Sequence, residues 1–300
     1  MRLVYRNPCP FNERMHTPTL LPVSIIGGGP AGCACALWLH RLGIKVHLYE
    51  AAGHPGGLQA RSPYENLWLP GVQGRTGQAV ARALQAHLDS EAVPYSLRQP
   101  VRRIDPTPEG FRLHFTDKPP HLSRFVVLAT GSVPRRGPFQ PGDTVIIGPG
   151  DPMEAAPVTG RRIAVLGGGD NAYDQARFLC QRGAAKVVIF SRSPPRGQAL
   201  LRAQIPQVPV RIGPYHADQT SLTVDDEPFD LFAVMYGFEA VLPQGLTPDL
   251  ENGYIRVDRF GETSLRNLFA CGEVTDYWHP CVATASAHGI QVAKQISLRP

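Results

Sequence analysis

Lysine is scarce in this chain, no dense block of Lys and Arg occurs, and only 18% of the residues are charged. Without a basic stripe, nucleic-acid binding is not expected, and a formal net charge of +5 is modest for 300 residues. Uninterrupted apolar runs are also missing. The longest, Leu20 to Leu39, is broken by Pro22, Gly27, Gly28, Gly29, Pro30 and Gly32, which a membrane span would not carry at its centre. Residues 1–15 lack the apolar stretch of a secretory signal, so 1–22 is expected to be a tail, with Met15 an alternative start and a cytoplasmic location. The six cysteines (Cys9, Cys33, Cys35, Cys180, Cys271 and Cys281) include no CxxC pair, and none joins histidines at zinc-ligand spacing, so no metal is expected. Cys33 and Cys35 stand two apart on an expected helix, hence on opposing faces, which suits neither a disulfide nor a metal. No Ser/His/Asp arrangement and no carboxylate pair suggests hydrolysis. What remains is a globular composition, 43% hydrophobic, long enough for two compact domains.

The most informative feature occurs twice. Residues 23–50 read VSIIGGGPAGCACALWLHRLGIKVHLYE, and residues 163–192 read IAVLGGGDNAYDQARFLCQRGAAKVVIFSR. Each is an apolar strand, a Gly-rich turn, an amphipathic helix, a Gly stop and a second apolar strand, which is a βαβ unit of a parallel sheet. Gly27 and Gly167 permit the tight turn, and Gly29 and Gly169 let a pyrophosphate approach the backbone. Gly32 and Ala172 allow the helix to pack closely on the strand. The phosphates then sit at the helix starts, Pro30–Ala31 in the first unit and Asp170–Asn171 in the second, where unpaired backbone N–H groups and the helix dipole favour an anion. The fold class is therefore α/β, with two three-layer dinucleotide-binding domains.

The second strands end differently. The first ends in Glu50, 18 residues beyond Gly32, where a carboxylate accepts hydrogen bonds from a ribose diol. The second ends in Ser191-Arg192, with no acid; a guanidinium there can hold a 2′-phosphate that a carboxylate would repel. The first site suits FAD and the second NADPH rather than NADH, with Arg196 and Arg202 as candidate helpers.

At this point the residues resemble the two-domain flavoprotein reductases of the low-molecular-weight thioredoxin reductase type, over about residues 22–297. The marks are GGGPAG (27–32), YE (49–50), GGLQ (56–59), ENLWLPG (65–71), VVLATGSVPR (126–135), GGGDNA (167–172), YIRVD (254–258) and NLFACGEV (267–274), followed by a helix over 282–293. The resemblance implies an FAD domain made of residues 23–130 plus 240–300, with the NADPH domain, 131–239, inserted into it. It implies flavin contacts from Gly57, Leu58, Gln59, Asn66, Ala129, Thr130, Gly131 and Gly272. It also puts Glu273 on the ribityl chain and the helix start, Cys281 and Val282, at the flavin pyrimidine. Gly237 would mark the return from the NADPH domain, and a homodimer is expected.

The chain departs from that pattern in three places. Glu273 stands where the family has Asp, and Gly237-Phe238-Glu239-Ala240 lacks the proline common there. Above all, Gly150-Asp151-Pro152-Met153 replaces the redox CxxC, so the dithiol route to thioredoxin is absent. In this the chain is similar to the thioredoxin-reductase-like ferredoxin/flavodoxin–NADP reductases, which implies electron transfer to ferredoxin, flavodoxin or another small redox protein. Two alternatives stand beside that expectation. Cys281, at a helix N-terminus, could act as the single thiol of a low-molecular-weight disulfide or small-molecule reductase, as in bacillithiol-disulfide-type reductases. The chain could instead be a non-catalytic FAD/NADPH sensor or accessory subunit. His279 is a candidate proton relay, Tyr277-Trp278, Tyr64 and Trp68 are candidate flavin-covering aromatics, and His288 is expected as surface or core filler.

Overall fold

The computed structural model describes residues 20–66 and 69–299, so Trp68, Cys9 and Met15 lie outside the described residues. The chain opens with β1 (Leu21–Ile26), passes through α1 (Pro30–Arg41) to β2 (Val46–Tyr49), and through α2 (Gly77–Ser90) to β3 (Tyr95–Ser96). A meander of β4 (Val101–Thr107), β5 (Gly110–Phe115) and β6 (His121–Leu128) follows. After β7 (Ser132–Pro134) come β8 (Val145–Ile147), α3 (Asp151–Ala155), β9 (Arg162–Leu166), α4 (Asp170–Gln181) and β10 (Lys186–Ser191). Then come α5 (Ala199–Ala203), β11 (Val210–Ile212) and three two-residue strands, β12 (Ala217–Asp218), β13 (Thr223–Val224) and β14 (Glu227–Pro228). The last part holds β15 (Leu231–Val234), β16 (Phe238–Ala240), the hairpin β17 (Leu250–Glu251) and β18 (Tyr254–Ile255), β19 (Leu268–Ala270) and α6 (Val282–Ser297).

Two large sheets result. The first runs β3-β2-β1-β6-β5-β4, with β19 also on β6. Strand β6 pairs parallel with β1 and also serves two further neighbours: its start (His121–Ser123) pairs antiparallel with β5, and its end (Val126–Leu128) pairs parallel with β19. The second sheet, β11-β10-β9-β15-β8, is parallel throughout. Its strands are covered on both faces, which is why β15 reads Leu-Phe-Ala-Val with every residue buried. The chain leaves the first sheet after β6, builds the second, and returns with β19 and α6. Strands β7 and β16 pair antiparallel at the crossing.

One local expectation is corrected. Strand β1 begins at Leu21, inside the stretch expected to be tail, because Leu21 pairs with Ser123 and its carbonyl accepts the Ser123 hydroxyl at 3.3 Å. Cys33 and Cys35 sit on different sides of α1, and both are buried free thiols. Helix α1 lies between the first sheet and α6, so it has no solvent face at these positions; the approach to α6 is closest where Gly289 meets the backbone of Ala31.

Candidate functional site

The two Gly-rich turns are built alike. Gly27 N–H donates to Tyr49 O at 2.8 Å, and Gly167 N–H donates to Phe190 O at 2.9 Å. Gly27 has φ +105° and Gly167 φ +146°, and a Cβ at either would collide with the carbonyl of the adjacent strand end, Ala129 or Met235. Only glycine fits there. Gly32 faces the Gly27 carbonyl with no room for a side chain, and Ala172 is fully buried against β9. At Gly29 and Gly169, by contrast, a Cβ would meet nothing within 4 Å, so the mouth of each turn is open.

Both following helices start without a side-chain cap. Gly29 is the N-cap of α1 and Gly169 that of α4, neither offering an acceptor, whereas Thr76 Oγ1 caps α2 by accepting Ala79 N–H at 3.2 Å. The first-turn N–H groups of α1 and α4, at Ala31 and Asn171 among others, therefore point to whatever sits above Gly29 and Gly169. Asp170, the first residue of α4, does not offer its carboxylate to that space alone: it accepts Gln198 N–H at 2.7 Å and Gln198 Nε2–H at 2.9 Å. An open, N–H-lined cradle beneath a helix start fits a pyrophosphate.

The strand ends complete the two cradles differently. Glu50 Oε2 accepts Gly28 N–H and Oε1 accepts Ala52 N–H, both at 2.6 Å. Each oxygen keeps a lone pair for a ribose hydroxyl. In the second turn the matching neighbour of Gly168 is Ser191, whose hydroxyl donates to Ser193 O at 2.6 Å. Arg192 follows with its guanidinium 5.1 Å from the Tyr236 ring centre. The loop after it closes back on the turn, with Arg196 N–H and Gly197 N–H both donating to Gly168 O. Among the described residues no carboxylate lies within 4 Å of Arg192, Arg196 or Arg202.

Around the first turn the chain gathers four distant segments. Gly56 N–H donates to Gly28 O at 2.7 Å, which brings Gly57 against the Cα of Gly29, with Leu58 and Gln59 half-buried beside it. Gln59 Oε1 accepts Asn66 Nδ2–H at 2.6 Å. Ala129 N–H donates to Ile26 O, Thr130 Oγ1 donates to Val241 O, and Val241 N–H donates to Gly131 O, so the outgoing and returning strands are laced together. Gly131 (φ +67°) and Gly237 (φ +85°) immediately precede the two crossing strands, and Arg135 N–H donates to Gly237 O.

The third group lies at the start of α6. Glu273, His279 and Cys281 line a water-sized cavity of about 10 Å³ together with Trp278, Thr284 and His288. Glu273 Oε2 accepts the hydroxyl of Ser132, 3.1 Å away, a residue within the VVLATGSVPR stretch to which the sequence assigned no role. Cys281 is the N-cap of α6, ahead of Val282: its Sγ accepts Thr284 N–H at 3.5 Å and lies 3.2 Å from Thr284 Oγ1. Burial pushes this thiol up, but the Thr284 hydroxyl and the backbone N–H groups of residues 283 and 284 outweigh it and hold the thiol below its ordinary range. The other thiols go the opposite way. Burial drives Cys33 and Cys271 to about 12, which leaves them inert at neutral pH.

Four further side chains, Tyr64, Tyr277, Trp278 and His288, pack against parts of the chain itself. Tyr64 turns to the second sheet's helix, stacking edge-on against Phe178 at 5.3 Å and donating to Gln175 Oε1 at 3.3 Å. Tyr277 and Trp278 are exposed and pack on each other, 5.4 Å between ring centres. His288 is no surface residue. It is buried, Nδ1 accepts Gly272 N–H at 3.3 Å, and burial lowers it to about 4, so it holds the Gly272-Glu273 turn as a neutral acceptor. Among the described residues no cluster of three His, Cys, Asp or Glu could hold a metal, and no helix is long and apolar enough to cross a membrane.

Comparison with known proteins gives a consistent relationship. The profile of the family described as pyridine nucleotide-disulphide oxidoreductase matches residues 21–203. A ferredoxin–NADP reductase of Limosilactobacillus fermentum is 29% identical over 301 residues, covering 89% of each chain. Among solved structures, thioredoxin reductase of Lactococcus lactis in its FR conformation superposes with a TM-score of 0.78 at 23% identity, over 92% of this chain and 97% of that one. Bacillithiol disulfide reductase of Bacillus cereus superposes with a TM-score of 0.76 at 19% identity, over 94% of this chain and all of the other.

Proposed function

The chain belongs to the pyridine nucleotide-disulphide oxidoreductase family, and on that premise we propose that it oxidises NADPH through bound FAD and passes the electrons to a small redox carrier protein. The observation that carries this reading is the contrast between two otherwise equal cradles: a carboxylate already fixed by two backbone N–H groups at one, an unpaired arginine at the other. FAD would supply the two-electron acceptor and NADPH the hydride. The protein's own contribution is binding and orientation. Glu50 takes the adenosine diol, the start of α1 the pyrophosphate, Glu273 with Ser132 the ribityl hydroxyls, and the start of α6 the pyrimidine edge. In the second unit the start of α4 takes the pyrophosphate of NADPH and Arg192 its 2′-phosphate. Residues 23–130 with 240–300 form the flavin unit in this reading, and 131–239 the NADPH unit, joined at Gly131 and Gly237.

The acceptor follows from what stands at 150–153. Gly-Asp-Pro-Met offers no sulfur pair to carry electrons from flavin to a disulfide, so electrons leave the flavin for the acceptor itself. The relative named ferredoxin–NADP reductase supports a one-electron carrier, two of which are reduced for each NADPH oxidised. A second reading rests on Cys281, whose depressed thiol lies in the same cavity as Glu273. One experiment separates them. With NADPH in excess, ferredoxin or flavodoxin is expected to raise cytochrome c reduction at least about ten-fold over the carrier-free rate, and Cys281→Ser, which keeps a capping side chain, leaves that rise intact. No stimulation by either carrier refutes the carrier reading; loss of activity in Cys281→Ser, with turnover on low-molecular-weight disulfides in the wild type, establishes the thiol reading in its place.

A further inference from the structure

Arginine 192 is held from behind. It follows the end of β10, and side chains alternate along a strand, so it shares a face with the buried Phe190 and not with Ser191. From that face it reaches across the end of β9 to Tyr236, which follows β15 on the other side of the same strand. Strand β9 is the one that feeds the Gly167 turn, so the stacked pair spans the mouth of the second cradle. The ring of Tyr236 is itself fixed. Its hydroxyl lies 3.0 Å from that of Tyr215, which packs on Phe190 at 5.6 Å, and Phe139 lies 6.1 Å from it. Gly137 leaves the space the ring needs, since a Cβ there would come within 2.9 Å of Cε2.

We propose that Tyr236, braced by Tyr215, is a specificity-determining residue for the 2′-phosphate of NADPH, because it holds the Arg192 guanidinium over its ring at the cradle, 5.1 Å from the ring centre, away from any carboxylate among the described residues. The inference rests on the NADPH reading given above and extends it to residues outside the strand-end position. A guanidinium lying on an aromatic face is stabilised by the ring quadrupole while its five in-plane donors stay available to an anion. Ordering this long side chain in advance removes part of the entropy cost of fixing it on binding. Burial raises both phenols above their ordinary value, so the pair stays neutral and does not compete with the phosphate as an anion. Tyr236 is thus a positioning residue that acts through Arg192.

Calorimetric titration of the oxidised, flavin-loaded protein with NADP+ and NAD+ tests this without turnover. Tyr236→Leu is expected to weaken NADP+ about five-fold and to leave NAD+ within about two-fold of wild type, whereas Tyr236→Phe retains the ring and stays within about two-fold for both. Arg192→Ala is expected to weaken NADP+ at least about ten-fold with NAD+ unchanged. Equal weakening of both nucleotides by Tyr236→Leu, or no weakening at all, overturns the inference. An Arg192→Ala variant that binds NADP+ like wild type overturns the NADPH reading itself, so the two failures are told apart.

Discussion

Glu50→Leu is expected to purify without flavin. The carboxylate accepts Gly28 and Ala52 N–H at 2.6 Å and keeps lone pairs that, in the proposed reading, take the adenosine diol. Leucine removes the two charged hydrogen bonds to ribose, worth about 1.5–3 kcal/mol each, so FAD affinity falls by roughly 10²–10⁴-fold. It also strands two backbone N–H groups at the tightest part of the turn, which loosens the cradle the pyrophosphate needs. Glu50→Gln keeps one acceptor oxygen and is expected to fall between. The flavin-to-protein absorbance ratio of the purified variants, followed by titration of the stripped proteins with FAD, reads the effect. Stoichiometric flavin in Glu50→Leu would mean that the first cradle does not hold the adenosine ribose.

The second large effect concerns packing. Gly289→Val is expected to prevent accumulation of folded protein, and Gly289→Ala to lower the melting temperature and the bound flavin together. A Cβ at position 289 would overlap the Ala31 carbonyl oxygen and lie 3.0 Å from the Ala31 carbon and 3.1 Å from Cys35 N. These are backbone atoms, so no side-chain rotation relieves the clash, and overpacking of this kind costs about 1–3 kcal/mol or more. Helix α1 begins at the nucleotide turn, so pushing α6 away shifts Gly29–Ala31, where the phosphates would sit. Gly142→Ala serves as the control: it has open space and no positive φ, and is expected to melt like wild type. Melting curves with and without added FAD distinguish a general loss of stability from a loss at the turn. A Gly289→Ala protein as stable and as yellow as wild type would contradict this account of the α1–α6 contact.

The parts of the site that were legible in the sequence are those a short stretch of chain determines by itself. Gly27 and Gly32 announce their turn because a positive φ and a close helix contact each demand glycine, and Gly29 between them leaves the mouth open. Glu50 is legible because strand length fixes its distance from that turn. What the sequence hid depends on partners far along the chain. Ser132 meets Glu273 across 141 positions, Tyr64 meets Gln175 across 111, and Tyr236 meets Arg192 only because β9 lies between their strands. For His288 the sequence left surface and core both open: its helix carries a polar residue on a face that the return of α6 onto α1 buries, and only that return makes it the partner of Gly272.

The central claim, that one chain holds a flavin and a nicotinamide nucleotide in working order, is tested most directly by mixing the purified protein with one equivalent of NADPH under strict anaerobiosis and following the visible flavin band. The account predicts a yellow protein whose band bleaches near-stoichiometrically within seconds to minutes and returns when an oxidised carrier is added. A protein that purifies without flavin and binds none, or whose bound flavin stays oxidised in the presence of NADPH, would contradict it.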